Sequence, residues 1–292
     1  MTMTEAQTRP TNPYLPLLAR IEEVRVETPD TATFKVVFCE ARPEQGRRDD
    51  CREGFAYRPG QFAEVSVFGV GEAPFSITST PTRPGFLEFS IKRMGRVTAA
   101  LHEMIGGEAI GVRGPYGNNF PVDDWRGQRL LFIGGGIGLA PLRSAINYCL
   151  DNRGDYGDID IIYGARSPAD LVFKTELEQW TNREDMRLHL TVDRGDDTWQ
   201  GRVGFVPALL AELGPSPQGV VTVTCGPPIM IRLVLQGLAQ LGFRDEQIVT
   251  TMEMRMKCGI GKCGRCNIGR SYVCVDGPVY NYAQLKQLGS EL

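Results

Sequence analysis

Four of the eight cysteines stand in one run, CGIGKCGRCNIGRSYVC, at Cys258, Cys263, Cys266 and Cys274. The spacing is C-x4-C-x2-C-x7-C, and its first three members have the separation used by one class of [2Fe–2S] site. Iron in such a centre is held by soft, charge-donating thiolates, and a tight loop brings several of them to one side of a compact cluster. Glycines at 259, 261, 264 and 269 let the chain turn sharply and aim N–H groups at the sulfurs. Four cysteines also suit tetrahedral zinc, but zinc ribbons usually show paired C-x2-C hooks, and here a single pair has that spacing. Cys39, Cys51, Cys149 and Cys225 are scattered, so the pattern favours metal binding over cross-linking.

Two further constellations could handle a nucleotide. IGGGIGLAP follows the apolar run LLFI and opens a helical stretch, where bare amides and a helix N-terminus face a diphosphate. Gly135, Gly136, Ile137 and Gly138 are its candidate binding residues, although the run lacks the G-x-G-x-x-G register. TCGPPIM ends a later apolar run and sets Cys225, Gly226 and Pro227 at the carboxyl edge of a sheet, facing the same crevice. Taken alone, Cys225 reads as a small buried hydrophobe.

The elements that must position these groups fall into blocks. After an N-terminal arm expected to be flexible over 1–14, ATFKVVF, QFAEVSVF and FLEFSIKR read as short strands between Pro/Gly punctuation. They predict a small antiparallel barrel over 15–121. The charged stretch EARPEQGRRDDCREG inside it reads as a long surface loop that exposes the Cys51 thiol.

From Gln128, apolar runs (LLFIGGG, IDIIYGA, MRLHLTVD, VVTVTCG) alternate with amphipathic helices (after Leu139, in DLVFKTELEQW, and in PIMIRLVLQGLAQLG). That alternation predicts an α/β unit over 122–250 whose parallel sheet is covered on both faces. The boundary falls in GPYGNNFPVDDWRGQ, which has no apolar period. A third unit, 251–292, begins after the strand-like QIVTTMEMR.

With 292 residues, 42% of them hydrophobic, the chain is long enough for two packed domains and a small appendage. A net charge of -3 from 32 basic and 35 acidic residues leaves no footprint for nucleic acid or an anionic membrane. No apolar run approaches the ~20 residues of a membrane span, and the N-terminus lacks a signal pattern, so a cytoplasmic protein is expected.

A barrel, GGGIGLAP and a late-strand CGPP, in that order, resemble the ferredoxin–NADP reductase superfamily over residues 15 to 250. The resemblance implies FAD on the barrel, NAD(P)H at the two glycine-bearing motifs and Cys225 as the catalytic contact. Its R-x-Y-S flavin segment corresponds to Ala73, Pro74, Phe75 and Ser76, followed by Ile77. Here the phosphate-neutralising arginine is an alanine and the stacking tyrosine a phenylalanine, which keeps an aromatic face. In SIKRMGRVTAALH, Gly95, Val97 and Thr98 would face the diphosphate at a helix start, with Lys92, Arg93 or Arg96 replacing the missing charge. Ser76, Phe75 and Thr98 also have plain structural readings, as a strand residue, core packing and a helix cap.

The whole plan, ending in the cysteine cluster, resembles the electron-transfer subunit of dihydroorotate dehydrogenase. VETPDTATF, MKCGIGKCGRCNIG, YVCVDGPVY and the short x7 gap are more similar to the gamma subunit of sulfhydrogenases and its counterpart in anaerobic sulfite reductase. The resemblance implies a diaphorase module passing electrons between NAD(P)H, FAD and the cluster. It would sit in a hetero-oligomer with a catalytic redox subunit, a nickel–iron hydrogenase or a sulfite reductase. A zinc-stabilised scaffold without redox function is the non-enzyme alternative. Arg166 at a strand end, with Ser167 and Arg194, could meet a 2′-phosphate or could equally be solvated surface, so NAD and NADP both stay open.

Overall fold

The structure is a computed structural model that describes residues 12–38 and 55–289. Most of the N-terminal arm and the loop carrying Cys51, as well as Cys39, lie outside the described residues.

The first unit is an antiparallel sheet of β1 (Leu17–Thr28), β2 (Thr31–Phe38), β3 (Phe62–Val67), β4 (Gly71–Ser76) and β5 (Leu87–Lys92). After α1 (Arg96–His102) it is completed by β6 (Ala109–Tyr116), in the order β4-β3-β6-β1-β2-β5. The two edges approach each other just beyond β4, where Thr78 N–H donates to Glu88 O at 2.9 Å, so the sheet curls into a barrel. Strand alternation explains its core. Phe34 and Phe89 pair inside, while their neighbours Thr33 and Ser90 pair on the outer face and hydrogen-bond at 2.9 Å. Those polar residues are buried all the same, because the second unit packs over them.

That unit contains β7 (Arg129–Gly135), α2 (Leu139–Asp151), β8 (Ile159–Ala165), α3 (Lys174–Thr181), β9 (Arg187–Val192) and β10 (Arg202–Val203). It continues through α4 (Val206–Leu213), β11 (Val220–Cys225), α5 (Pro228–Gln240) and β12 (Ile248–Thr251). These six strands are parallel in the order β10-β9-β8-β7-β11-β12. Leu130 and Phe132 join the core beneath α2 and α3, while Leu131 and Ile133 join the one beneath α4 and α5. A strand buried on both faces must be apolar throughout, which is why LLFI reads as a continuous run. Strand order reverses between β7 and β11, so their carboxyl ends open a crevice.

Barrel and α/β unit are locked by buried charge. Arg143 of α2 is 4% exposed and donates to Glu88 of β5 at 2.6 Å, to Glu176 of α3 at 2.9 Å and to Thr78 O at 3.1 Å. Arg25 pairs with the same Glu88. Ser144 donates to Ser79 O at 2.6 Å, and Phe173, at φ 57, donates its N–H to Glu27 at 2.8 Å.

The C-terminal unit has β13 (Asn267–Ile268), β14 (Ser271–Tyr272), α6 (Val273–Asp276), β15 (Val279–Asn281) and α7 (Tyr282–Gln287). β15 returns to the α/β sheet and pairs antiparallel with β12. The strand reading of QIVTTMEMR holds only to Thr251: Met252, Met254 and Met256 keep the alternation by packing on the C-terminal core, but beyond the Met252 N–H bond to Pro278 O at 2.8 Å the three-residue β15 offers no further ladder. No helix among the described residues is long and apolar enough to cross a membrane.

Candidate redox site

The cysteine loop leaves β12 and carries Cys258, Cys263 and Cys266 before β13, while Cys274 sits on α6. Gly259, Gly261 and Gly264 adopt φ of 72°, 73° and 72°, a left-handed conformation that side chains disfavour. A Cβ at Gly259 would also meet the Tyr116 ring at 2.9 Å. These turns point N–H groups inward. Ile260, Lys262 and Cys263 donate to Cys258 Sγ at 3.5, 3.3 and 3.4 Å, and Gly261 donates to Cys274 Sγ at 3.1 Å.

Burial disfavours a charged Cys258, yet these donors and the Cys263 thiol outweigh it and hold Cys258 below the usual thiol range. Cys274 is raised instead, by burial and by its hydrogen bond with Cys266. Four cysteines on one short segment, with N–H groups turned toward two of their sulfurs, fit a binuclear cluster in which each iron takes two thiolates.

The barrel forms the bed of this loop. Arg113 of β6 is buried and donates through Nη1 to Cys258 O at 3.1 Å, Pro13 O at 3.1 Å and Tyr116 Oη at 2.9 Å. Its Nε and Nη2 grip Glu72 at 2.8 and 2.5 Å, so one guanidinium ties the ligand loop to β4. Asn118 donates to Asp276 O and Val279 O at 2.8 and 2.7 Å and accepts from Val279 N–H at 2.9 Å. Glu64 lies buried beside them with Oε1 lacking a hydrogen-bond partner; burial, then the charge of Glu72, pushes its carboxyl up to about 8 against the pull of Arg113.

None of Arg113, Tyr116 or Asn118 was expected from the sequence. Their partners lie up to 161 residues away, and the Gly/Pro/Asn texture of 114–121 reads as a linker.

β4 places Phe75 and Ser76, both half-buried, at the barrel edge beside α1. Ile77 does not reach this surface: its side chain is 1% exposed in the barrel core and its N–H donates to Gln61 O at 3.0 Å. Thr98 Oγ1 accepts from Met94 and Gly95 N–H, both at 2.8 Å, and donates to Gly95 O at 2.9 Å, so its hydroxyl is occupied as a helix cap.

Lys92 is paired with Asp30 at 3.1 Å and Arg93 with Glu103 at 3.0 Å. Arg96, bound only to Val70 O at 2.5 Å among the described residues, keeps a charge without a carboxylate partner. It and Val97 lie over the β3–β4 turn, where a Cβ on Gly71 would come within 3.3 Å of Val97 and 3.7 Å of Arg96. The amides at the start of α1, at 96–98, have no intrahelical acceptor by their position. Phe75, Ser76, Arg96 and these amides fit a flavin with its diphosphate.

At the crevice, Gly135, Gly136, Ile137 and Gly138 link β7 to α2. Gly136 stands at φ 55 with open space where a side chain would be. A Cβ on Gly138 would meet Cys225 O at 2.5 Å and Gly226 Cα at 2.6 Å, so the two glycine-bearing motifs touch backbone to backbone. Pro227 precedes α5 as its N-cap. Thr251 Oγ1 donates to Cys225 Sγ at 2.9 Å, and burial pushes the Cys225 thiol up to about 11, so at neutral pH it is a neutral contact rather than a nucleophile. These residues fit a dinucleotide. Arg166, exposed at the end of β8, is paired with Asp170 at 2.6 Å and lies 3.9 Å from Asp30. Its charge is already shared with carboxylates.

Residues 132–236 match the family described as oxidoreductase NAD-binding domain, and 253–286 match the iron-sulfur cluster binding domain of dihydroorotate dehydrogenase B. The fold is shared with a solved NADH-dependent reduced ferredoxin–NADP oxidoreductase, at a TM-score of 0.70 and 22% identity over 96% of this chain and 94% of that one. The chain is 33% identical to a probable dihydroorotate dehydrogenase B electron transfer subunit of Methanocaldococcus jannaschii, covering 93% of this chain and 91% of the relative. It is 45% identical to sulfhydrogenase 1 subunit gamma of Pyrococcus furiosus over 237 residues, 79% of this chain and 81% of the relative. Identity of that extent over most of both chains means that the chain belongs to the family of the sulfhydrogenase gamma and dihydroorotate dehydrogenase B electron-transfer subunits.

Proposed function

We propose that the chain is the diaphorase subunit of a cytoplasmic hetero-oligomer, moving electrons between NAD(P)H, FAD and a [2Fe–2S] cluster to or from a catalytic subunit of the hydrogenase or sulfite reductase kind. The observation that carries this reading is the bed of the cysteine loop. Arg113 binds Cys258 O and Glu72 at once, joining the cluster loop to the strand that bears Phe75 and Ser76. Two redox sites joined through one guanidinium would be suited to exchange between them.

Bound flavin would take a hydride and release its electrons singly, which converts a two-electron donor into a one-electron source. The protein's part is positional. The Phe75 ring offers a face for the flavin, Arg96 and the first amides of α1 hold its diphosphate, and Gly136 to Gly138 with the start of α2 hold that of the nucleotide. Thr251 holds the neutral Cys225 thiol, which would contact the nicotinamide. Cys258, Cys263, Cys266 and Cys274 ligate the cluster, and a reducing cytoplasm keeps them available as thiols.

Anaerobic purification tests this. The chain should carry FAD, iron and sulfide, and NADH or NADPH should bleach the flavin and then bring up the signal of a reduced cluster. Stoichiometric zinc without flavin or iron would overturn the proposal. A dihydroorotate dehydrogenase partner is the second reading, favoured by the match of 253–286; the catalytic subunit that co-purifies separates the two.

A further inference from the structure

We infer that the face around the cysteine loop is where the electron-exchanging partner docks, and that the partner meets it with a carboxylate-rich surface. The inference rests on the function proposed above and specifies its partner. Residues 252–275 hold five basic side chains, Arg255, Lys257, Lys262, Arg265 and Arg270, against one acidic side chain, Glu253, in a chain of net charge -3. All five are exposed, and none is ion-paired among the described residues.

Much of the remaining exposed positive charge is treated differently. Arg83 pairs with Asp151, Arg126 with Asp123, Arg183 with Asp185, Arg187 with Asp160 and Lys286 with Asp245. Charge left free in one short segment is charge held for something outside the chain.

Its position says what. Arg255 and Lys257 lead into Cys258, Lys262 and Arg265 flank Cys263, and Arg270 lies in the turn between β13 and β14. Cys263 is the exposed one of the four sulfurs, so the cluster edge nearest the surface lies among these cations. Tyr272 and Val275, 39% and 51% exposed, add apolar surface next to Cys274. Apolar contact inside a charged rim is the composition of a protein docking patch, and unpaired rim charge steers the encounter. Lipid headgroups or nucleic acid would match the charge, but neither brings a centre that exchanges an electron. A protein with acidic residues around its own redox centre does both.

The test uses the full chain loaded with FAD and cluster, reduced by NADH or NADPH, with an acidic [2Fe–2S] ferredoxin and the basic cytochrome c as one-electron acceptors. Ferredoxin reduction should slow as salt is added. In the variant carrying Arg255→Glu, Arg265→Glu and Arg270→Glu, its kcat/KM at low ionic strength should fall at least tenfold, with the gap closing at high salt, as expected for steering worth 10- to 1000-fold. Cytochrome c reduction should hold or rise, and the rate of flavin bleaching and the cluster midpoint potential should stay as in the parent.

Ferredoxin kinetics indifferent to salt and to the substitutions would overturn the docking face and leave the electron-transfer reading standing. A loss that follows a shifted cluster potential would do the same, since the cations would then only offset the charge of the ligated iron. Binding to phosphatidylserine vesicles with salt-indifferent ferredoxin reduction would replace the protein partner with a membrane. A parent chain whose flavin neither nucleotide bleaches would overturn both proposals.

Discussion

Gly138→Ala puts the contact between the two nucleotide motifs to a direct test. Gly138 stands at φ -62 and ψ -12, ordinary helical values, so alanine would carry no backbone strain. What it lacks is room: the added methyl would lie 2.5 Å from Cys225 O, 2.6 Å from Gly226 Cα and 2.7 Å from Cys225 C. Comfortable carbon contacts begin near ~3.5 Å. Because the obstacles are backbone, the GGGIG and CGPP loops must part by about 1 Å. If these loops set the nucleotide for hydride transfer, a displacement of that size costs about 100-fold in rate, or about 2.7 kcal/mol of barrier. Anaerobic stopped-flow would follow flavin bleaching by NADH and NADPH, with FAD and iron content and reduction by dithionite as controls for an intact protein. Bleaching within threefold of the parent, in a variant retaining both cofactors, would refute the claim that contact of these loops sets the nucleotide.

Arg143→Met should strand the Glu176 carboxylate in a buried site, while Glu88 keeps Arg25; the cost should be about 3 kcal/mol, or roughly 6–12 °C in melting temperature, and an unchanged melt would show that the network does not hold the units together. Burial raises the Glu176 carboxyl, but the hydrogen bond and charge of Arg143 outweigh it and leave it below the ordinary 4.5. A lowered folded value means stability that is present above pH 4.5 and lost as pH falls below it, so urea midpoints measured from pH 6 to 3 should fall less steeply in Arg143→Met than in the parent. Thr251→Val removes the donor to Cys225 Sγ at nearly constant shape, and flavin bleaching should slow by up to about tenfold with cofactor content unchanged, the loss of a hydrogen bond worth about 1 kcal/mol. Asn118→Ala removes three hydrogen bonds to the segment after Cys274, so iron release to a chelator should accelerate by about 100-fold, equivalent to about 3 kcal/mol; release at the parent rate would deny Asn118 its role in the bed.

Which parts of this architecture could be read in advance follows from where the partners lie. Cys258, Cys263 and Cys266 are close in sequence because one loop must deliver them, so spacing alone reveals the chemistry. LLFIGGG shows both its double burial and its turn, since neither depends on distant residues. Thr98 was legible only as a pair of readings, and the structure commits its hydroxyl to the helix start. Arg143 and Arg113 could not be found this way. Each is a lone charge in an ordinary helix or strand, and only the fold brings Glu88 or Cys258 to it. Arg96 separates from Lys92 and Arg93 for the same reason: the three cations look alike until Asp30 and Glu103 neutralise two of them.

The return of β15 to the α/β sheet bears on how the protein is made. β12 and β15 are neighbours in space with the whole ligand loop strung between them, so pairing them closes a long and glycine-rich loop at an entropic cost. Iron bound to the four cysteines would shorten that loop in the unfolded chain and offset part of the cost. Until then the sheet ends in β12, a longer edge for another nascent chain to add to than β15 offers. Cluster insertion would therefore also favour maturation, since it would help replace the β12 edge by the three-residue β15, a shorter template for another chain.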